Sequence, residues 1–354
     1  EMTSSLVGSE MCIRDRHKCL IDTFDRNFEF SVEHVALAKA ADVVMIAPAS
    51  ANVIGKIANG IADDMLTTTV MACPCKKIVS PAMNHNMFHN PIVQDNIEKL
   101  KHYGYEIVEP AHGMLANGDM GDGRMPDEEL LFEYIVKEIA FEKDMTGKKV
   151  LVTAGATVEA IDPVRFITNH SSGKMGFALA KNAMLRGAEV TLVMGKCDSE
   201  PPVFANTVKV QSAKDMYDAV IERADSMDII VKAAAVADYR PKNVSSEKVK
   251  KQDGNMSIEL ERTDDILKTL GERKNGQFIC GFSMETENML ENSRKKLEKK
   301  NCDMIVANNL KQDGAGFGGN TNIVTLITKD DEVQLEKMTK DEVAEKIFDF
   351  ILSR

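Results

Sequence analysis

Short apolar runs, each long enough for one strand, alternate with amphipathic stretches along this chain, and the pattern restarts halfway. Asp42–Ala47, Lys77–Ser80 and Tyr105–Val108 read as buried strands. Between them the spacing predicts a helix over Pro91–Tyr103, with Ile92, Ile97 and Leu100 on one side and Gly104 as its stop, and another over Asp127–Glu142. Strands without polar alternation, separated by helices, require a parallel sheet covered on both faces. The polar stretch Lys143–Lys149 interrupts the pattern and places a boundary near residue 144. The second half predicts strands at Val150–Thr153, Glu189–Met194, Asp228–Ala235, Gln277–Gly281 and Met304–Ala307, with an edge strand at Ile323–Thr328. Its helices fall at Ser172–Arg186, whose buried side carries Phe177, Ala180 and Met184, at Ala213–Ala224 and at Lys340–Leu352. The expected class is α/β, with two Rossmann-like three-layer domains.

The length of 354 residues agrees with two domains. A net charge of −11 and the absence of Trp argue against a nucleic-acid binder or an anionic-membrane binder. No apolar run reaches the roughly 18 residues of a membrane span. The seven Cys form no CxxC pair, which points to a reducing, cytoplasmic setting without structural disulfides. Glu1–Arg16 has neither a signal-peptide core nor a cleavage pattern and reads as a non-native or disordered leader.

Two segments carry most of the chemistry. After the Val150–Thr153 strand and the small residues Ala154–Thr157, the chain passes Asp162, Pro163 and Arg165 and returns through Asn169-His170-Ser171-Ser172-Gly173-Lys174 into a helix. Ser171 or Ser172 can cap that helix, whose free N–H groups suit an anion. Alone, this is an ordinary capped turn. The second segment, Ala233–Arg240, follows an apolar strand, which is where open α/β sheets bind ligands. Asp238 alone would be a surface carboxylate. Lys296 and Lys300 lie four apart and share one side of a helix, whereas Lys295 and Lys299 read as a solvated face.

Asp162–Gly176, Ala233–Arg240, Glu247–Lys251 and Gly281-Phe282 occur in this order in phosphopantothenate–cysteine ligases, which residues 147–354 resemble. The resemblance implies a CTP-dependent ligation of cysteine to 4'-phosphopantothenate through an acyl-cytidylate. It assigns Asn169 to the acyl-cytidylate, Arg165 to substrate handling, and Lys232, Ala233, Ala234 and Asp238 to the nucleotide. It also gives Asp238 to Mg²⁺ and Lys248, Lys296 and Lys300 to the nucleotide phosphates. Asp264, Asp265, Ile266, Leu267 and Phe282 fall to base and sugar. Relatives pair their ligase halves, so a homo-oligomer is expected.

Residues 17–143 resemble flavin-dependent phosphopantothenoylcysteine decarboxylases through His34, Ala47–Asn52, Pro81–Met87 and Gly118–Met125. The resemblance implies an incomplete flavodoxin-like flavin domain ahead of the nucleotide-binding ligase domain of residues 144–354. FMN would rest on Pro48, Ala49, Ser50, Ala51 and Asn52. His34 would manage protons, and Asn84 would hold the substrate carboxylate. Two features depart from the family. The first strand and phosphate loop have no counterpart, and Asn117 occupies the place of the proton-donating Cys. Weak flavin binding and a slow or stalled decarboxylation are expected. A ligase with a degenerate flavin domain kept for oligomerisation is the alternative.

Overall fold

The structure is a computed structural model that describes residues 33–115, 118–250, 256–285, 289–309 and 319–354. The leader Glu1–Arg16 and Asn117 lie outside the described residues. The chain divides into two compact units between Phe141 and Glu142.

In the first unit, helix α1 (Glu33–Ala40) precedes strand β1 (Val43–Ala49), α2 (Ala51–Ala58), α3 (Met65–Ala72) and β2 (Lys76–Pro81). The short α4 (His85–Phe88), α5 (Pro91–His102), β3 (Glu106–Ile107), β4 (Ala111–Met114), β5 (Met120–Arg124) and α6 (Glu128–Ile139) follow. β1, β2 and β3 form a parallel sheet in that order, and β4 and β5 form a separate antiparallel hairpin. Ile46, Ile54, Ile57, Val70, Val79, Ile97 and Leu100 make its main core. Ile92 is 71% exposed, contrary to its expected place beside Ile97 and Leu100. Five residues rotate a helix by about 140° past a full turn, so Val93 packs in its stead.

In the second unit an eight-stranded sheet runs β10-β9-β6-β11-β14-β15-β17-β18. These strands are β6 (Lys149–Ala154), β9 (Glu189–Met194), β10 (Asn206–Lys209), β11 (Ile229–Lys232), β14 (Phe278–Glu285), β15 (Met304–Asn309), β17 (Val324–Ile327) and β18 (Glu332–Gln334). Pairing is parallel from β10 to β15 and antiparallel thereafter. Two-stranded ribbons, β7 (Glu159–Ala160) with β8 (Phe166–Ile167), β12 (Tyr239–Pro241) with β13 (Leu260–Arg262), and β16 (Thr321–Asn322) with β19 (Met338–Thr339), lie outside it. The helices are α7 (Lys174–Leu185), α8 (Ala213–Ala224), α9 (Ile266–Arg273), α10 (Met289–Lys299) and α11 (Lys340–Leu352).

Three sequence expectations change here. Val324–Ile327 is interior, because β18 pairs outside it, and all four of its residues are buried where an edge strand would alternate. β11 ends at Lys232, so Ala233–Ala235 are loop. Neither Ser171 nor Ser172 caps α7. Its N-cap is Gly173, at φ 82°, without a side-chain cap bond. A Cβ on Gly173 would meet Cys197 Sγ at 2.4 Å, which reserves the position for glycine.

Phe177, Ala180 and Met184 are buried, as the spacing predicts. α7 lies so close to β6 that a Cβ on Gly176 would stand 2.5 Å from Ala154 Cβ and 2.9 Å from its Cα. Gly176→Ala is therefore expected to lower unfolding stability by about 1–3 kcal/mol, measured in urea, despite the better helix propensity of alanine. An unchanged or raised stability would show that α7 is not seated against β6 this tightly.

Candidate active sites

The parallel strands of the second unit end together, and their ends supply one wall after another of two adjoining cavities. Lys232 closes β11, Phe282–Met284 lie late in β14 and Asn308 late in β15. A cavity of about 310 Å³ is lined by these residues with Ser171–Met175, Ala233–Val236, Asp238, Lys296, Asn322 and Lys340. A second, of about 370 Å³, shares Lys232, Val236, Asp238 and Lys296 with the first and adds Tyr239, Arg262–Leu267 and Lys300.

Fixed hydrogen bonds hold the small-residue loop open. Thr153 Oγ1 accepts from Ala234 N at 3.0 Å, and Thr157 Oγ1 accepts from Ala237 N at 3.0 Å. Both threonines are fully buried, so these hydroxyls stand in for backbone partners that a continuing strand would have provided. Thr263 Oγ1 donates to Ala237 O at 2.6 Å and ties in the β13 side.

The cavities concentrate positive charge. Burial and the neighbouring Lys296 push the Lys232 ammonium down to about 8, against the pull of Asp265 and Asp238. Burial and Lys174 likewise lower Lys340, which is 7% exposed. Lys296 Nζ donates to Phe282 O at 2.8 Å. Lys300 pairs with Asp265. Burial alone would raise Asp265, but the Lys300 bond and the Lys268 N–H outweigh it and hold the carboxyl below its ordinary value. Asp265 also caps α9 through Lys268 N.

The structure brings Lys232, Ala233, Ala234, Asp238, Asp264, Asp265, Ile266, Leu267, Phe282, Lys296 and Lys300 onto these walls. It does not place Asn169, Arg165 or Lys248 there. Asn169 Nδ2 donates to Ala235 O at 2.7 Å while its Oδ1 accepts from Ser171 N at 3.3 Å, so it braces two wall residues from behind. Arg165 donates through Nε to Asp162 Oδ2 at 2.9 Å and through a terminal nitrogen to Val249 O at 2.6 Å. Asp162 also accepts from the N–H groups of Val164, Arg165 and Val249. Burial pushes its pKa up, but Arg165 and these three amides overcome that and hold the carboxyl well below the usual range. Lys248 is exposed on the loop that Val249 anchors.

Lys174, Lys340, Asn308 and Asn322 are wall residues that the sequence reading missed as ligand groups. Asn308, 4% exposed, leaves its Oδ1 without a partner among the described residues. Its position near a strand's carboxyl end was an available signal. Lys340, in the first turn of a terminal helix, gives none.

In the first unit the carboxyl ends of β1 and β2 meet, with Ala82 N donating to Ala49 O at 3.0 Å. Ser50 caps α2 by accepting from Val53 N, which leaves the preceding amides of Ala51 and Asn52 for an anion. Met83 N donates to Gly123 O at 2.9 Å, which fastens the loop after β2 to the β5 hairpin. Asn84 caps α4 through Oδ1, accepting from Asn86 N at 2.9 Å, and its amide nitrogen has no partner among the described residues. His34 is half-buried on the first turn of α1. No hydrogen bond or ion pair joins it to Asn84 among the described residues.

A unit with a parallel sheet followed by an α/β unit with cation-lined cavities at its strand ends defines a two-unit α/β enzyme class, and comparison with known proteins agrees. Residues 3–140 match the Flavoprotein family, and residues 145–354 match the DNA/pantothenate metabolism flavoprotein C-terminal domain. The coenzyme A biosynthesis bifunctional protein of Bacillus subtilis is 49% identical over 318 residues, 89% of this chain and 78% of that one. A cysteine/cysteine sulfinic acid decarboxylase of an unknown prokaryotic organism is 43% identical over 345 residues, 96% of each chain. A crystal structure of the C-terminal domain of a coenzyme A biosynthesis bifunctional protein is similar at a TM-score of 0.52 and 48% identity, covering 60% of this chain and 97% of that domain. The chain belongs to the family of bifunctional coenzyme A biosynthesis proteins.

The Asp162 bracket makes a separate claim. Asp162→Asn removes the charge that gathers Arg165 and three amides, so the loop over 245–250 should loosen. Faster proteolytic cleavage there and a drop of about tenfold or more in second-unit turnover are expected, because displaced positioning groups cost orders of magnitude. Unchanged cleavage would mean that the loop is held by other contacts.

Proposed function

We propose that the second unit joins cysteine to 4'-phosphopantothenate and the first decarboxylates the resulting 4'-phosphopantothenoylcysteine, both steps serving coenzyme A biosynthesis. The observation that carries the reading is the pair of lysine-walled cavities at the carboxyl ends of β11, β14 and β15, floored by the small loop Ala233–Ala235. Small residues let a ligand approach backbone, and clustered ammonium groups suit a polyphosphate.

The proposed nucleotide is CTP. The 4'-phosphopantothenate carboxylate attacks its α-phosphorus and the bond to pyrophosphate breaks, leaving an acyl-cytidylate. The cysteine amine then attacks the acyl carbon, CMP departs and an amide forms. Lys232, Lys296 and Lys300 offset charge on the phosphates, and Lys248 is assigned to the triphosphate beside them. Asp264–Leu267 and Phe282 take base and sugar. Asp238, exposed where the two cavities join, is a fitting carboxylate for a Mg²⁺ that keeps waters and phosphate oxygens as its other ligands. Asn169 contacts the acyl-cytidylate, and Arg165 handles substrate from the bracket it shares with Asp162. Paired ligase units in a cytoplasmic homo-oligomer complete the proposal.

In the first unit the Pro48–Asn52 turn is assigned to FMN, where the start of α2 presents its first amides and Ala49 is packed in the core beneath. When bound it supplies two-electron oxidation of the cysteinyl carbon–sulfur unit and its later reversal. Asn84 offers its amide to the departing carboxylate, and His34 moves the proton. Asn117 carries an amide where the family has a thiol, so the last protonation is expected to be slow.

The test is turnover of 4'-phosphopantothenate, cysteine and Mg²⁺ with CTP or ATP, following pyrophosphate, then CO₂ with added FMN. Pyrophosphate and the cysteine amide with CTP support the ligase. Their absence with both nucleotides defeats it. Pyrophosphate without CO₂ selects the ligase with a degenerate flavin unit, and CO₂ from free cysteine would redirect the first unit to a different substrate.

Lys232 gives this reading a pH signature. Its ammonium is the form that binds an anion, and it is depressed to about 8 in the free protein. A bound triphosphate raises it again, so binding takes up a proton. Nucleotide affinity should be flat below pH of about 8 and fall by up to about tenfold per unit above it. Lys232→Arg keeps its charge and should flatten the profile. A wild-type affinity independent of pH from 7 to 9.5 by calorimetry would contradict the role.

A further inference from the structure

The first unit holds a cluster that the decarboxylation chemistry leaves unused. His85 and His89 stand one helical turn apart at either end of α4, their ring centroids 4.4 Å apart. Asp122 on β5 reaches both rings and a third. Its Oδ2 lies 2.9 Å from His89 Nε2 and its Oδ1 lies 2.9 Å from His112 Nδ1. His85 Nδ1 accepts the Asp122 backbone N–H at 3.1 Å, so that nitrogen carries no proton and its one lone pair is held by this amide. It sits 3.9 Å from Asp122 Oδ2. One ligand atom from each of His85, His89 and Asp122 lies within 4.8 Å of the other two.

We propose that His85, His89 and Asp122 form a site for a borderline transition-metal dication of the zinc class, with His112 orienting the carboxylate. Two imidazoles and a carboxylate suit Zn²⁺, Co²⁺ or Ni²⁺ better than Mg²⁺ or Ca²⁺, which prefer all-oxygen shells. A tetrahedral ion with bonds near 2.0–2.1 Å wants its ligand atoms about 3.3 Å apart. The His89–Asp122 and His85–Asp122 separations of 2.9 and 3.9 Å straddle that spacing and all three ligand atoms lie within 4.8 Å of one another, so rotation of these partly exposed side chains, with His85 Nδ1 exchanging the Asp122 amide for the ion, completes the site. His112 supplies the outer hydrogen bond that ligating carboxylates usually receive. Gly121 is a condition of the arrangement, since a Cβ there would stand 2.9 Å from His85 Cγ and Nδ1. Three protein ligands leave a fourth position for water. The ion would clamp α4 to β5, and Asn84 immediately precedes His85, so metal binding would stiffen the loop that carries Asn84.

The probe is Co²⁺ added to the full chain after chelator treatment. One equivalent should bind with the strong visible absorption of four-coordinate cobalt, and Zn²⁺ should displace it. His89→Gln and Asp122→Asn should each weaken binding at least about a hundredfold, while His112→Gln, outside the coordination shell, should cost about tenfold. Far-UV circular dichroism without metal checks that each variant is folded, and the near-isosteric Asp122→Asn serves if His89→Gln is not. Zn²⁺ should also raise the melting temperature of the wild type and not that of Asp122→Asn. Pale six-coordinate absorption in the wild type, or binding undiminished in the folded variants, would overturn the site.

Discussion

An unfavourable accumulation of charge organises the second unit. In a chain whose net charge is −11, Lys174, Lys232, Lys296 and Lys340 face one cavity and Lys300 and Arg262 the next. The register of the sheet imposes this crowding. Lys232 pairs with Gly281, Phe282 with Val306 and Asn308 with Met284 across parallel neighbours that cannot slide independently. Beneath them Val231, Cys280 and Val306 are fully buried, and that apolar floor keeps water from relieving the repulsion. Burial first and the neighbouring Lys296 second depress the Lys232 ammonium accordingly. A polyanion relieves in binding what folding has had to accumulate, which is the usual sign of a site arranged for its ligand and not for stability.

The loops that complete the cavities are held by polar groups acting at a distance from the ligand. Thr153 and Thr157 satisfy amides that the early end of β11 leaves without strand partners. Asn169 joins the Ser171 turn to Ala235, and Asp162 gathers Arg165 and the Val249 amide. Each of these residues is spoken for on the protein side. A role for Asn169 or Arg165 at the substrate must therefore be shared with a bracing role, and the two can be separated only by watching loop order and turnover together.

Much of the architecture was legible because it follows from periodicity. The apolar runs became strands, and Phe177, Ala180 and Met184 became the buried side of α7. The errors have local causes. Ile92 was placed on the wrong side because a five-residue step was read as a helical neighbour, and the serines before α7 were read as caps where Gly173 takes over with a left-handed turn. The β17 strand was read as an edge because the three-residue β18 that covers it carries no apolar signal. Cavity-wall residues were legible where they sat in small-residue runs after strands. Lys174, Lys340 and Asn308 converge only through the tertiary fold, and lysine at a helix start looks the same in sequence whether it faces water or a cavity. The His85, His89, His112 and Asp122 cluster was hidden for the same reason, since a hairpin of irregular glycine-rich sequence brings its members together.

The two sites draw on separate residues, and this bears on how damage in one affects the other. Every wall residue of the lysine cavities comes from the second unit, and every residue assigned to decarboxylation comes from the first. On the proposed assignment, an amide at Asn117 would slow the later reaction without touching the earlier one. Because decarboxylation consumes what ligation makes, a chain impaired only in the first unit would still release the cysteine amide for another decarboxylase to finish. A chain impaired at Lys232 would leave its own first unit without substrate. On the proposed assignment the chemistry is thus asymmetric in its dependence: the lysine-walled cavities would govern whether either half has work to do.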